Sequence, residues 1–208
     1  LMEDNVKYRT FNTGPDSLDV TKPEQVEKWF DRHINQFGPI PRLLYAAGTK
    51  RLNFIEDLSP EDVQLTFDVN VFGFLNVVRA LKRLQKSGRI VAITSEASIT
   101  PMRTSVAYVA SKAALHMAIK CMARELAPDW QIMGVMPTAV SDTEMTSKDI
   151  KDIAALRGWS EDVVAEQMSN NPFGRMIAPN EVAETIKWLM FDAPDVMSGS
   201  IVEIRAGN

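Results

Sequence analysis

Arg89-Ile90-Val91-Ala92-Ile93-Thr94-Ser95 decides the fold. Its apolar residues do not alternate with polar ones. A strand with one wet face would alternate; a strand covered on both faces would not. Leu43-Leu44-Tyr45-Ala46-Ala47-Gly48 reads the same way, and so do residues 130–135. Such strands belong in a parallel sheet between helical layers. The helices are present in the pattern. Thr21-Lys22-Pro23-Glu24 opens one, with Thr21 as N-cap, Pro23 in the first turn and Glu24 closing a capping box. Val26, Trp29, Phe30 and Ile34 form its inward stripe and Gly38 ends it. Ser59-Pro60-Glu61-Asp62 opens the next, which runs past Asn70 to Lys86 with Gly88 as its stop. Further helices are expected over 105–126, 160–168 and 180–191. The last turns Val182, Ile186, Leu189 and Met190 inward. A final strand is expected over 201–204. At the front, residues 6–12 and 17–20 read as short strands around a turn at Thr13-Gly14-Pro15-Asp16. Strand–helix alternation implies one α/β domain over 1–208, a doubly wound parallel sheet with helices on both faces.

Composition narrows the function. The chain has 208 residues and a net charge of −4, without a basic run, so nucleic acid is not an expected partner. Cys121 is the single cysteine, which rules out an internal disulfide and a cysteine zinc site. Its place in a helical pattern predicts a buried thiol. His33 and His116 have no ligand-like neighbours, so no metal site is expected. The sequence shows neither a signal-peptide pattern nor a membrane-length apolar run. A cytoplasmic setting is the expectation.

In an open α/β sheet ligands bind beyond the carboxyl ends of the strands. Gly48, Ser95 and Pro137 all fall there, which argues for one shared site. Tyr108-Val109-Ala110-Ser111-Lys112 begins the following helix. Tyr108 and Lys112 are four residues apart and share a helix face. An ammonium near a phenol favours the phenolate, so Tyr108 is expected to titrate below its usual pKa of about 10. Each residue also has a plain reading. Tyr108 and Lys112 at this spacing can be a packed ring and a solvated charge. Ser95 in Ser-Glu-Ala-Ser can cap a turn. Asn70 in mid-helix needs a local reason, because asparagine disfavours helix interiors.

Taken together these positions resemble the short-chain dehydrogenase/reductase family, from about residue 18 to the C-terminus. The resemblance implies a Rossmann-like fold and a catalytic set of Asn70, Ser95, Tyr108 and Lys112. Tyr108 would exchange a proton with the substrate oxygen, and Ser95 would hydrogen-bond that oxygen. Lys112 would lower the Tyr108 pKa and hold the nicotinamide ribose. Asn70 would kink its helix and support a proton-relay water. On the cofactor side, Asp19-Val20 resembles the adenine-contacting pair. Ala46-Ala47-Gly48 matches the Asn-Asn-Ala-Gly segment, with Tyr45 in place of its first Asn. Pro137-Thr138-Ala139-Val140 resembles Pro-Gly-x-Val, and Thr143-Glu144-Met145 resembles Thr-x-Met with one extra residue before it. The implied cofactor is NAD or NADP. The implied substrate is a small carbonyl or alcohol, and the implied assembly is a homodimer or homotetramer. Two helices, over 61–86 and 105–126, would pair across a two-fold axis using Phe72, Phe74, Met117 and Met122.

The front departs from the family. The family opens with Thr-Gly-x-x-x-Gly-x-Gly, whose glycines bring backbone amides to the pyrophosphate. Here Thr13-Gly14 is followed by Pro15-Asp16. The N-terminal β-α portion is therefore expected to be reduced, with residues 6–12 standing either as the family's second strand or in the place of its first. Two functions follow. One is an NAD(P)-dependent oxidoreductase interconverting a secondary alcohol and a ketone. The other is a non-catalytic binding or assembly protein on the same fold. In either case dinucleotide affinity is expected to be weak.

Overall fold

The computed structural model describes residues 18–208. Four parallel strands order this region: β1 (Arg42–Tyr45), β2 (Gly88–Ile93), β3 (Trp130–Pro137) and β4 (Ile201–Ile204), side by side in chain order. Leu43 lies opposite Ile90, Ile90 opposite Ile132 and Val135 opposite Val202. The strand at the centre of the sequence argument, β2, shows why its apolar run is continuous. Ile90 and Ala92 face one buried cluster, while Val91 and Ile93 face another. The first cluster joins α1 (Pro23–Phe37), α3 (Gly73–Leu84) and α4 (Val106–Leu126) through Phe30, Phe74, Leu81, Leu115 and Ile119. The second places α7 (Pro179–Phe191) on the opposite face through Val182, Ile186 and Leu189. The fold is the doubly wound α/β arrangement expected.

Arg89 ties the sheet to the α7 layer at one end. Its guanidinium donates to the Leu189 and Ala193 carbonyls at 2.9 Å each and pairs with Asp195 at 2.5 Å. Carbonyls at a helix C-terminus have no intrahelical donor, and a cation there also favours the dipole.

Several boundaries differ from expectation. Residues 18–20 form no strand; the Asp19 carboxylate instead accepts from the Thr21 amide and hydroxyl at 2.9 and 2.7 Å. Thr21 is thereby drawn off the helix, and Lys22 occupies the N-cap of α1 without a side-chain bond, so the capping box does not form. Ser59 does cap α2 (Pro60–Phe67), accepting from the Asp62 amide. The stop for α3 is Gln85, in extended conformation; Gly88 opens β2. In β1 only Tyr45 is buried, and Leu44 is exposed. A missed helix, α5 (Glu144–Arg157), precedes the expected α6 (Glu161–Met168). Thr143 caps α5, and Gly158 closes it at φ 67°, a left-handed conformation that suits glycine. Cys121 is exposed, not buried. The strand expected over 6–12 lies outside the described residues.

Candidate active site

The site is built around a break in helix geometry. Between α2 and α3 the chain passes through a π turn, Asp68–Phe72. Here the Gly73 amide donates to the Asp68 carbonyl, five residues back, instead of to Val69. Such turns add one residue to the helical circuit and often mark functional positions. Asn70 sits in this turn and is fully buried. Its side-chain oxygen accepts from the Thr49 amide at 2.8 Å. Its amide group donates to the Thr49 carbonyl and the Ser111 hydroxyl, both at 2.9 Å. The Ser111 hydroxyl donates to the Tyr108 carbonyl at 2.8 Å. One asparagine therefore joins the segment after β1 to the first turns of α4. The mid-helix asparagine has its local reason.

Tyr108 and Lys112 project from that part of α4 and are 7% and 4% exposed. The Lys112 ammonium donates to the Ile93 carbonyl at 3.1 Å, at the carboxyl end of β2. It lies 5.8 Å from the centre of the Tyr108 ring. Both groups feel burial more than each other. Removal from water pushes the Tyr108 phenol up to about 12, although the neighbouring Ser95 hydroxyl pulls it back in part. Burial also lowers Lys112 to about 8. The expected fall in the Tyr108 pKa is thus reversed in this structure. Spacing put the amine one turn from the phenol, but desolvation by burial dominates the phenol.

Ser95 meets its plain reading as a turn cap. Its hydroxyl accepts from the Ala97 amide at 3.2 Å, capping a short 3₁₀ turn, Glu96–Ser98. It also stands beside the Tyr108 phenol. Two charged neighbours were not anticipated from sequence. The Lys50 ammonium lies 5.1 Å over the Tyr108 ring and pairs with Asp149 of α5 at 2.8 Å. Both side chains are nearly out of solvent. Burial, the larger effect, raises the Asp149 carboxyl, and Lys50 offsets it.

The structure brings Gly48, Asn70, Ser95, Tyr108 and Lys112 together. A Cβ on Gly48 would lie 3.6 Å from the Asn70 side-chain oxygen and 3.7 Å from the Lys112 ammonium. Ala46 and Ala47 lead from β1 into this segment, and Pro137 ends β3 at the same sheet edge. Asp19, Val20, Val140 and Thr143 serve other contacts. Asp19 holds Thr21, and the Val20 carbonyl accepts from Asn76 at 3.0 Å. Val140 bridges Ile177, and Thr143 caps α5. Ser111 was legible in principle, because it lies three residues from Tyr108 on the same helix face. His116 meets the Ser98 hydroxyl at 3.1 Å, and His33 stacks on Trp29. No metal-binding cluster occurs among the described residues.

Residues 9–154 match the family model described as short chain dehydrogenase. The 2,3-dihydro-2,3-dihydroxybenzoate dehydrogenase of Escherichia coli is 32% identical over 84% of this chain and 72% of its own. The NAD-dependent glycerol dehydrogenase of Listeria innocua is 30% identical over 91% of this chain and 72% of its own. An NAD⁺-bound xylitol dehydrogenase superposes with a TM-score of 0.85 at 28% identity, covering 91% of this chain and 76% of that one. The chain belongs to the short-chain dehydrogenase family, whose Rossmann-like fold it shares.

Proposed function

We propose that the chain is an NAD(P)-dependent oxidoreductase that interconverts a small secondary alcohol and a ketone through Asn70, Ser95, Tyr108 and Lys112. The observation that carries this reading is the pair of buried groups on α4. A phenol and an amine stand one turn apart, both withdrawn from solvent, beside Ser95 at the carboxyl ends of the strands. Burying an ammonium is costly, so a purely structural lysine here would be hard to explain.

Tyr108 keeps its proton to high pH, which suits the donor of a proton to a carbonyl oxygen. Ser95 would hydrogen-bond that oxygen as charge develops on it. Asn70 would hold the loop and helix that carry them. The residues also fit a nicotinamide ribose. Lys112 has three donors, and among the described residues the Ile93 carbonyl takes one, leaving donors for hydroxyls. The small residues Ala46, Ala47 and Gly48, with Pro137 and Val140, would line this end, and Asp19 and Val20 the adenine end. When bound, the nicotinamide supplies or accepts the hydride.

Affinity of the 208-residue chain for the dinucleotide is expected to be weak, because Pro15-Asp16 follow Thr13-Gly14 where the family has its glycine loop. One or two lost charge-assisted phosphate bonds and a helix dipole amount to about 2–6 kcal/mol, or ~30-fold to ~10⁴-fold in affinity. A second reading, a non-catalytic binding protein, draws support from the contacts that already engage Asp19 and the Val20 carbonyl. Titration with NADH and NADPH, followed by tryptophan fluorescence, and turnover assays on small ketones, diols and polyols separate the two. Cofactor-dependent turnover supports the oxidoreductase. Saturable binding without turnover of any such substrate supports the second.

We also infer a homodimer or homotetramer. Phe72 and Met117 are exposed on the helices expected to pair, whereas Phe74 belongs to the core and Met122 packs partly against it. Light scattering at low micromolar concentration tests this, and a monomer mass rejects it. No helix among the described residues is long and apolar enough to cross a membrane. An exposed free thiol suits a reducing compartment, and we infer a cytoplasmic one.

A further inference from the structure

A π turn leaves one carbonyl of the helix without its usual amide. Here that carbonyl belongs to Val69, because the Gly73 amide is given to Asp68. Val69 directly precedes Asn70. The missing donor comes from the sheet: the Tyr45 hydroxyl donates to the Val69 carbonyl at 2.7 Å. Tyr45 ends β1, is 4% exposed, and is steadied by Phe74, whose ring centre lies 5.1 Å away. Three residues further on, Gly48 leads into Thr49, whose amide and carbonyl are both held by the Asn70 side chain. The segment 45–49 thus grips the π turn twice, by a side chain on Val69 and by backbone on Asn70.

Gly73 makes room for this grip. Its φ is −58°, ordinary for a helix, so its backbone conformation does not call for glycine. A Cβ there would fall 2.6 Å from the Tyr45 hydroxyl oxygen and 2.7 Å from Val20 Cγ2. The bulky ring at position 45 and the missing side chain at position 73 are complementary.

We propose that Tyr45 is a positioning residue: its hydroxyl holds the π turn in the geometry that lets Asn70 bind Thr49 and Ser111. Its catalytic consequence rests on the functional reading above, but the contact itself does not. Removing the hydroxyl takes the donor from the carbonyl of half-buried Val69, and the turn relaxes to find another. Asn70 moves with it, and with Asn70 the bonds to Thr49 and to Ser111 at the base of Tyr108 and Lys112.

The test uses the whole chain with Tyr45→Phe, Asn70→Ala, the double variant and Gly73→Ala. Amide hydrogen exchange reads the Thr49 amide directly, with Leu115 and Ile132 as controls deep in the core. Tyr45→Phe should speed Thr49 exchange roughly tenfold and leave the controls unchanged, as expected for loss of one hydrogen bond. Gly73→Ala, which keeps the hydroxyl but denies it space, should do the same. In turnover, kcat should fall with KM nearly constant, and the double variant should fall no further than Asn70→Ala alone. Unchanged Thr49 exchange in Tyr45→Phe overturns the proposal. So do additive losses in the double variant, or a lower Tm with kcat untouched. If the wild-type chain turns over nothing, the catalytic reading fails, and the exchange result alone decides the role of Tyr45.

Discussion

The floor of the site and the arm that follows β3 are built on opposite terms. On the floor, Asn70, Ser111 and Lys112 are buried polar groups, each with a named partner on another element or turn. In the arm, over residues 138–176, α5 and α6 share a small cluster of Ile153, Ala154 and Val164, while Val163 and Phe173 are exposed. A group that must stand within tenths of an ångström of a reacting atom has to be held by neighbours that cannot yield. A segment under no such demand can be looser, and it changes at less cost. The pair Lys50–Asp149 joins the two regions directly over Tyr108.

The largest effect should come from the floor. Tyr108→Phe removes the proton that the proposed reaction needs and only a hydroxyl from the packing. Turnover should fall by ~10²–10⁴-fold, the usual worth of general acid–base catalysis, with the fold preserved. Steady-state assays beside circular dichroism check it. A variant that keeps most of its turnover would remove Tyr108 from the proposed mechanism.

Stability should divide in the same way. Leu115 is fully buried between α4 and the sheet. Leu115→Ala should cost about 2–5 kcal/mol of global stability in a denaturant titration. Val164→Ala removes less apolar surface from a cluster of few members, and about 1–2 kcal/mol is expected. Much of that loss should appear as local opening of α6, read by hydrogen exchange. Equal global losses would show that the arm and the floor unfold as one unit.

These differences track what could be read from sequence. The buried strands were legible because both faces of β2 are covered, which leaves a continuous apolar run. The site's position followed, since strand ends in such a sheet converge. Asn70, Ser95, Tyr108 and Lys112 were reachable through motif and spacing. Their protonation was not, because spacing reports the distance between charges and says nothing of the water removed from both. Helix α5 was missed because its inward stripe is thin: Ile150, Ile153 and Ala154 face a small cluster and not the main core. Tyr45 read as an anomaly, since its partner is a carbonyl freed by a π turn 24 residues away. That partnership exists only after folding.

The buried amine gives a pH signature confined to the floor. Lys112 titrates near 8 in the folded chain, against 10.5 unfolded. Below about pH 8 both states hold the proton, and the folded state bears the full cost of a buried charge. Between the two values the unfolded state binds more protons, so rising pH relieves that cost and stabilises the fold. Relative to Lys112→Met, the wild type should gain about 2 kcal/mol between pH 7 and about pH 9.5, at ~1.4 kcal/mol per unit of separation. Tyr108 opposes this only above its unfolded value near 10, where loss of its proton favours the unfolded chain. Denaturation midpoints measured across that range test it. A constant difference between the two proteins would mean that Lys112 keeps its ordinary pKa.

The smallest expected effect sharpens the boundary between floor and arm. Thr143 could touch a dinucleotide or simply start α5. In this structure its hydroxyl oxygen accepts from the Thr146 amide at 3.1 Å, an N-cap contact. The Thr146 hydroxyl donates to the Val140 carbonyl at 2.6 Å, so the cap is part of a short polar knot at the root of the arm. Thr143→Ala should therefore cost about 1 kcal/mol, the usual worth of an N-cap. The loss should appear as faster amide exchange in the first turn of α5. Thr143→Ser keeps the oxygen and should restore protection. If the cap is its only role, neither substitution changes dinucleotide affinity measured by calorimetry. Weaker dinucleotide binding in Thr143→Ala, with α5 exchange unchanged, would instead make Thr143 part of the cofactor site and move the boundary of the floor onto the arm itself.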